Sequence, residues 1–484
     1  MMIHTRLAPA SGMVPGPWDR LWKEAAQVRK KWIGLMLLSV AFFALAGCAF
    51  SSPEELYAVP KAAEDYQNLQ EQIDKVRSAG AEYAGPLFGT NTQPVQLMDL
   101  DGDGIQEAIA FFRATSADDP DPLKIYIYHQ AADGTYEVWN IIEGDAPAIN
   151  SISYEDLDGK TGPSGNMDKE LVVSWRLSDK IYRLEAFSVT GPEVETLLPA
   201  VSYTDYVLWD MDKDNQKEIV MITLNTVDSV YQADYYDYQS GQMMLRSSAA
   251  LSGKITGLAS NTKPLASYLC NNGIAEPAVF VTSNLITGVI TDIFTWQNDK
   301  LVNITLNPAT GMSEDTFRLN TSIAIQDINN DGYPEVPRPT ALPTPDTVSS
   351  LDFWQVQWVQ YDLKGNPLVV STTYYNGEDG WYLVIPESWQ GQVALSRLDN
   401  TSSGERGVLF YPYSAEPNEG GEAPKPFLSI YKLTGPNRKT RANAEGRFIL
   451  LEEDDVIYAA ELHTDSGWDC GVDQEGLKEL FHLI

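Results

Sequence analysis

Three nine-residue segments constrain most strongly what this chain can fold into. Asp99-Leu100-Asp101-Gly102-Asp103-Gly104-Ile105-Gln106-Glu107 recurs as Asp210-Met211-Asp212-Lys213-Asp214-Asn215-Gln216-Lys217-Glu218 and as Asp327-Ile328-Asn329-Asn330-Asp331-Gly332-Tyr333-Pro334-Glu335. Two weaker copies lie between them. One is Asp156-Leu157-Asp158-Gly159, interrupted by Lys160–Asn166 before Asp168-Lys169-Glu170. The other is a decayed Asn272-Gly273-Ile274-Ala275-Glu276 whose register starts at Tyr268. The starts at 99, 156, 210, 268 and 327 are spaced by 57, 54, 58 and 59 residues. So regular a period, with decayed members in their places, marks stacked or radial units.

Each loop is followed by an apolar run, such as Ala108–Phe112, Leu171–Val173, Ile219–Ile222 and Ala278–Val281. Further strand-like runs follow, as in Lys124–Tyr128, a turn at Asp133-Gly134, and Tyr136–Trp139. Four short strands per unit outline a propeller blade. The pattern resembles the FG-GAP or VCBS repeat family, which builds β-propellers with Asp-x-Asp-x-Asp-Gly loops between strands. The resemblance implies a mainly β fold, a β-propeller of five recognisable repeats closing as five to seven blades.

Oxygen ligands spaced two apart project inward from a tight loop, and a hard cation such as calcium takes about 6–8 of them. The first site is expected from Asp99, Asp101, Asp103, the Ile105 carbonyl and Glu107. By the same register the second comprises Asp210, Asp212, Asp214, Gln216 and Glu218, and the third Asp327, Asn329, Asp331, Tyr333 and Glu335. Asp156, Asp158 and Glu170 form a weaker candidate because of the insertion. At Tyr268–Glu276, Cys270 stands where a carboxylate belongs, and no calcium is expected. An EF-hand would need flanking helices and a glutamate at position 12, where the first loop has Ala110. The expected role of the ions is structural, fastening hairpins.

Near the start, Arg29-Lys30-Lys31 precede a short apolar run, Trp32–Ala44, ending in Leu45-Ala46-Gly47-Cys48. This is signal-peptide architecture, and its end resembles the bacterial lipobox, in which the cysteine is acylated before cleavage. Cys48 is therefore the expected lipidation site and residues 1–48 the signal. The resemblance implies a lipid-anchored protein on the extracytoplasmic face of the cell membrane. Residues 1–27 lack signal character, which suggests a start placed too early, with Val28 an alternative initiator.

The balance of 34 Lys+Arg against 67 Asp+Glu, net −33, argues against nucleic acid as a partner. Three cysteines cannot build a disulfide framework; Cys270 and Cys470 either pair or remain free thiols. The histidines fit neither HExxH nor a GxSxG serine, so no catalytic constellation is found.

The expected domains are a helical segment over 49–84, the repeats over 85–379 and a small C-terminal α+β domain over 380–484. Tyr66, Leu69, Ile73 and Val76 predict an amphipathic helix over 61–79. The proline-rich Pro337–Pro345 reads as a surface loop. Leu477, Leu480, Phe481 and Ile484 mark one face of a closing helix. Tyr235–Tyr238 and Trp354, Trp358 and Trp381 either pack or stack on sugars. The functional expectation is a binding or scaffold module for a protein or glycan ligand at the cell envelope. The alternatives are an envelope enzyme acting on polysaccharide with acidic residues at the channel mouth, and a purely structural envelope protein.

Overall fold

The computed structural model describes residues 64–484 apart from 117, 226, 260–261, 401–402 and 415–423. Cys48 and the signal lie outside the described residues. The chain divides into Met1–Gln67, of which only 64–67 are described, and Asn68–Ile484. Among its described residues the second unit is mainly β, with six antiparallel sheets that follow one another along the chain except that Phe481–Leu483 returns to sheet 5.

Sheets 1, 2 and 3 are meanders whose second strands are Glu107–Ala114, Glu170–Arg176 and Glu218–Asn225. Residues 107–112, 170–175 and 218–222 of these strands are buried throughout. A strand covered on both faces has no polar side, which is why these segments read as unbroken apolar runs. Sheet 4 is built on Ile274–Leu285 and Gly288–Gln297, and sheet 5 on Val336–Thr344, Thr347–Tyr361, Pro367–Asn376 and Trp381–Val384. Sheet 6 runs Val393–Asn400, Glu405–Pro412, Leu428–Thr434, Val456–Leu462 and Arg447–Glu452 in spatial order.

Neighbouring sheets share hydrophobic layers. Ile109, Phe111 and Ile125 of sheet 1 meet Leu171, Val173 and Trp175 of sheet 2, while Val172 and Leu184 face Ile219 and Met221 of sheet 3. Val220 and Tyr235 pack on Val279 and Phe294 of sheet 4, whose other side packs Phe280 and Ile293 on Val336 and Val359. Tyr374, Trp381 and Leu383 of sheet 5 meet Leu395, Val408 and Phe410 of sheet 6. The free face of sheet 1 is covered by helix α1, Glu64–Ser78, through Leu69 and Ile73. That of sheet 6 is covered by α2, Arg438–Ala442. Among the described residues no buried cluster joins sheet 1 to sheet 5 or 6.

Several expected boundaries fall elsewhere. Ala81–Tyr83, within the expected helical segment, pairs with Phe112–Ala114 and so belongs to sheet 1. Pro337–Pro345 is not a loop: Val336–Thr344 is a strand paired with Thr347–Tyr361. Pro337 and Pro339, two apart, leave their missing N–H on the same side, which an edge strand tolerates because that side carries no ladder. On that side the only pairing among the described residues is the isolated Gln326–Glu335 bridge. The boundary at 380 cuts sheet 5, since Trp381–Val384 pairs with Thr373–Asn376. The closing helix α3, Gln474–Leu480, stops at Leu480, and Phe481–Leu483 then pairs with Trp381–Leu383. Tyr235, Trp358 and Trp381 are fully buried, with Tyr235 stacked on Trp296 at 4.0 Å, so they pack.

Candidate metal loops

The acidic segments, numbered loops 1, 2, 3 and 5 after their sheets, lead into Glu107–Ala114, Glu170–Arg176 and Glu218–Asn225 of sheets 1, 2 and 3 and into Val336–Thr344 of sheet 5. In all four the final glutamate stands at the start of a strand or, for Glu335, directly before it, and turns back into its own loop. Glu107, Glu170, Glu218 and Glu335 each accept the backbone N–H at position two, from Leu100 at 2.8 Å, Leu157 at 2.7 Å, Met211 at 2.6 Å and Ile328 at 2.8 Å. The excursion of the chain leaves that N–H without a ladder partner, and a buried orphan donor costs about 1–3 kcal/mol. The glutamates are fully buried as a result.

The loops curl inward by a shared hydrogen-bond pattern. The position-one aspartates accept the N–H at position six, Asp99 from Gly104 at 3.1 Å, Asp210 from Asn215 at 3.1 Å and Asp327 from Gly332 at 2.8 Å. The position-five aspartates accept the N–H of Ile105 at 2.7 Å, Gln216 at 2.8 Å and Tyr333 at 2.9 Å, which places the three expected carbonyl donors at the loop ends. The curl needs left-handed backbone at positions four and six. Gly102 and Gly104 adopt it at φ +66° and +89°, whereas the second strong loop uses Lys213 and Asn215 at 71° and 73°. Only glycine does so without steric cost.

These turns bring most of the expected ligands together; in the first loop Glu107 groups with Asp101 and His129, separately from the three aspartates. Carboxylate oxygens of Asp210, Asp212, Asp214 and Glu218 lie within 4.8 Å of one another, as do those of Asp99, Asp101 and Asp103, of Asp156, Asp158 and Glu170, and of Asp327, Asp331 and Glu335. Asn329 turns its amide toward Asp331, 2.9 Å from Oδ2. Burial dominates the electrostatics. It pushes the carboxyls of Glu170 and Glu218 up to about 8 and that of Glu335 up to about 7, and raises Glu107, Asp101, Asp156 and Asp212. Nearby aspartates push in the same direction. Desolvated, mutually repelling carboxylates favour either a proton or a cation.

Calcium fits the donor set: it takes carboxylate oxygens in flexible geometry. Buried Asp99 Oδ1, Asp168 Oδ1 and Glu170 Oε1 have no hydrogen-bond partner. Asp99, Asp101, Asp103 and Glu107 would hold it in loop 1, and their counterparts in the other loops.

Sequence reasoning missed the residues that face the final glutamate across the sheet. His129 Nδ1 lies 3.1 Å from Glu107 Oε1, with its ring stacked on Trp139 at 4.0 Å. Gln360 donates to Glu335 at 2.7 Å and to Asp331 at 2.8 Å. Asp237, paired with Arg246 at 2.7 Å, adds negative charge beside Asp212. The signal for these lies in cross-strand register, which a loop motif does not carry. At the decayed copy the chain turns through Asn272-Gly273, and Glu276 pairs with Lys213 at 2.6 Å. Cys270 and Cys470 are free thiols. A cleft of about 720 Å³ lies beside loop 5, lined by Cys270, Asn272, Gln297, Gln360 and Asp362. No helix among the described residues is long and apolar enough to cross a membrane.

Fold and site together define a mainly β protein of antiparallel sheets with repeated acidic loops. No protein-family model matches the chain, and no curated protein matches it. Similar solved structures include the Bacillus licheniformis rhamnogalacturonan lyase PL11, at 12% identity and TM-score 0.27 over 62% of this chain and 66% of that one, just under two thirds of its length. The exotype rhamnogalacturonan lyase YesX aligns at 10% identity and TM-score 0.28, covering 71% of this chain and 73% of that one. The Dos1 propeller aligns at 9% identity and TM-score 0.25, covering 73% and 89%. Propellers are thus among the structures it resembles, and at these scores nothing about activity follows.

Proposed function

We propose that this chain is a lipid-anchored, extracytoplasmic binding or scaffold module of the bacterial cell envelope, whose FG-GAP/VCBS-like units form propeller blades stabilised by calcium. One observation carries the cation reading. Three loops direct a fully buried glutamate and two or three aspartates at one point, the first loop gathers Asp99, Asp101 and Asp103 with Glu107 beside Asp101, and all four share position-two backbone N–H groups at 2.6–2.8 Å as anchors. The position-two N–H engages one oxygen of each glutamate, and holding a desolvated carboxylate beside aspartates costs free energy each time, which a cation would offset. The lipid anchor at Cys48 rests on the lipobox resemblance. The protein or glycan ligand rests on the general use of such sheet assemblies to present loops. Five repeats, one for each of sheets 1 to 5, followed by sheet 6, is the repeat count we favour.

The test is thermal unfolding of the metal-stripped full-length protein with and without calcium, beside the Asp99→Ala/Asp101→Ala variant. Calcium raises the wild-type midpoint, and the double variant loses part of the shift. No shift in wild type removes the cation reading. Globomycin-sensitive processing of the precursor and loss of membrane retention in Cys48→Ser check the anchor separately.

A further inference from the structure

Resting on that cation reading, we propose that loop 2 is a fourth divalent-cation site of different make, in which Asp168 supplies a side-chain ligand and Lys160 a tethered ammonium that competes with the ion. The insertion looks at first like damage. It closes on itself instead: Thr161 bridges Met167, Gly162 N donates to Asn166 O at 2.8 Å, and Gly165 N to Gly162 O at 3.0 Å. The chain re-enters the loop with Asp168 N donating to Lys160 O at 3.3 Å. Counted back from the glutamate, Asp168 occupies the place of Ile105, Gln216 and Tyr333. Loop 2 has lost the position-five carboxylate supplied elsewhere by Asp103, Asp214 and Asp331, and Asp168 restores the number of acidic side chains.

Buried, unpartnered oxygens point to a missing ligand. Asp168 is 2% exposed with Oδ1 bonded to nothing, and Glu170 is 0% exposed with Oε1 equally bare. Asp158 Oδ2 faces only the Lys160 ammonium, 2.6 Å away. One ammonium cannot satisfy Asp156, Asp158, Asp168 and Glu170, whose formal charges exceed its own. The Lys160 side chain is 48% exposed, so it can move into water at small cost, whereas the carboxylates are fixed. Oxygens of Asp156, Asp158 and Glu170 lie within 4.8 Å of one another, while Asp168 stands outside that group with its charge beside Asp158 and Asp156; an ion that takes about 6–8 oxygens in flexible geometry would draw it in.

The insertion also couples loop 2 to loop 1. Ser164 N donates to Gly102 O at 3.1 Å, Asn166 Nδ2 to Asp99 Oδ2 at 3.2 Å, and Lys169 N to Leu100 O at 2.9 Å. The backbones lie so close that a Cβ on Gly162 would fall 1.8 Å from the Asp101 carbonyl oxygen.

The experiment is calorimetric titration of calcium chloride into metal-stripped full-length protein. Wild type takes up four equivalents, one each for loops 1, 2, 3 and 5. Asp168→Asn takes up three, and Lys160→Met keeps four while one class tightens about tenfold as a competing charge is removed. Three equivalents in wild type with Asp168→Asn unchanged overturns this proposal and leaves the other loops standing. Uptake of none by wild type instead defeats the cation reading itself. Should Asp168→Asn fail to fold, Lys160→Met decides alone: unaltered affinities in every class refute the competing ammonium.

Discussion

If the loops hold calcium as proposed, removing it should reverse the pH dependence of stability, and the size of the effect follows from the buried glutamates. Glu170 and Glu218 titrate near 4.5 when solvated and at about 8 in the fold, and Glu335 at about 7. The folded state therefore binds these protons more tightly than the unfolded state does. Stability from this source is fully present below about pH 4.5 and is lost as pH rises through about 8. Each tenfold difference in proton affinity between the folded and unfolded states is worth about 1.4 kcal/mol. Each of the two higher carboxyls thus accounts for roughly 3 kcal/mol of lost stability between about pH 5 and about pH 8. Carboxyls held low act outside this interval. The Arg183 hydrogen bond lowers Asp145 and the Arg406 hydrogen bond lowers Glu378, and both lose their contribution only as pH falls further.

Calcium needs the ionised form and so displaces the same protons. At about 100 times Kd each site adds about 2.7 kcal/mol, most of it at the alkaline end, where no proton competes. Urea unfolding of the metal-stripped protein at both pH values, repeated with calcium, measures all four stabilities. The stripped protein is expected to be weaker at about pH 8 than at about pH 5, with the gap narrowed or inverted by calcium. A stripped protein whose stability is level or rises over this interval refutes the argument from burial. A calcium effect of equal size at both ends refutes the assignment of the glutamates as ligands.

Two further perturbations probe the scaffold. Gly102→Ala should cost about 2–3 kcal/mol, because it forces φ +66° on alanine and sets a Cβ 2.6 Å from Asn166 O. Gly134→Ala, at φ +83° with nothing within 4 Å, should cost only about 1 kcal/mol, and differential scanning calorimetry separates the two. Asp292→Ala should cost about 3–5 kcal/mol in chemical denaturation, since it strips acceptors from Ser252 N, Ser252 Oγ, Ser313 Oγ and Asn303 Nδ2 at 2.5–2.9 Å. A change under about 1 kcal/mol there would show that the network is dispensable.

The parts of this fold legible in the sequence are those fixed by neighbours along the chain. The loops announce themselves because a carboxylate reaching an N–H a few residues away needs a set spacing, and α1 because Leu69 and Ile73 lie one turn apart. The illegible parts depend on distant partners. Phe481–Leu483 becomes a strand only because Trp381–Leu383 offers an edge about 100 residues earlier in the chain. Pro337 and Pro339 read as a loop until the pairing shows that their strand lies at an edge of the sheet. The insertion hides Asp168, since linear spacing cannot show that Thr161 and Met167 meet and remove the intervening residues from the count. His129 and Gln360 enter the site through the third dimension alone.

The fourth repeat shows what the recurring glutamate is for. Where the chain makes a wide acidic excursion, the N–H at position two leaves the ladder, and the glutamate must be buried to receive it. In sheet 4 the excursion has shrunk to Asn272-Gly273, a two-residue turn with φ of 52° and 81° of the kind that joins adjacent strands. The ladder there runs unbroken from Leu265↔Phe280 to Asn271↔Ile274, so no N–H is stranded. Glu276, released from that duty, pairs at the surface with Lys213 of the preceding loop. The buried carboxyl of this sheet is Asp292 instead, with its oxygens satisfied by hydroxyl, amide and backbone donors. Loss of the aspartates and loss of the buried glutamate are thus one event: a sheet that turns in two residues has neither an orphan donor to satisfy nor a carboxylate cluster to neutralise.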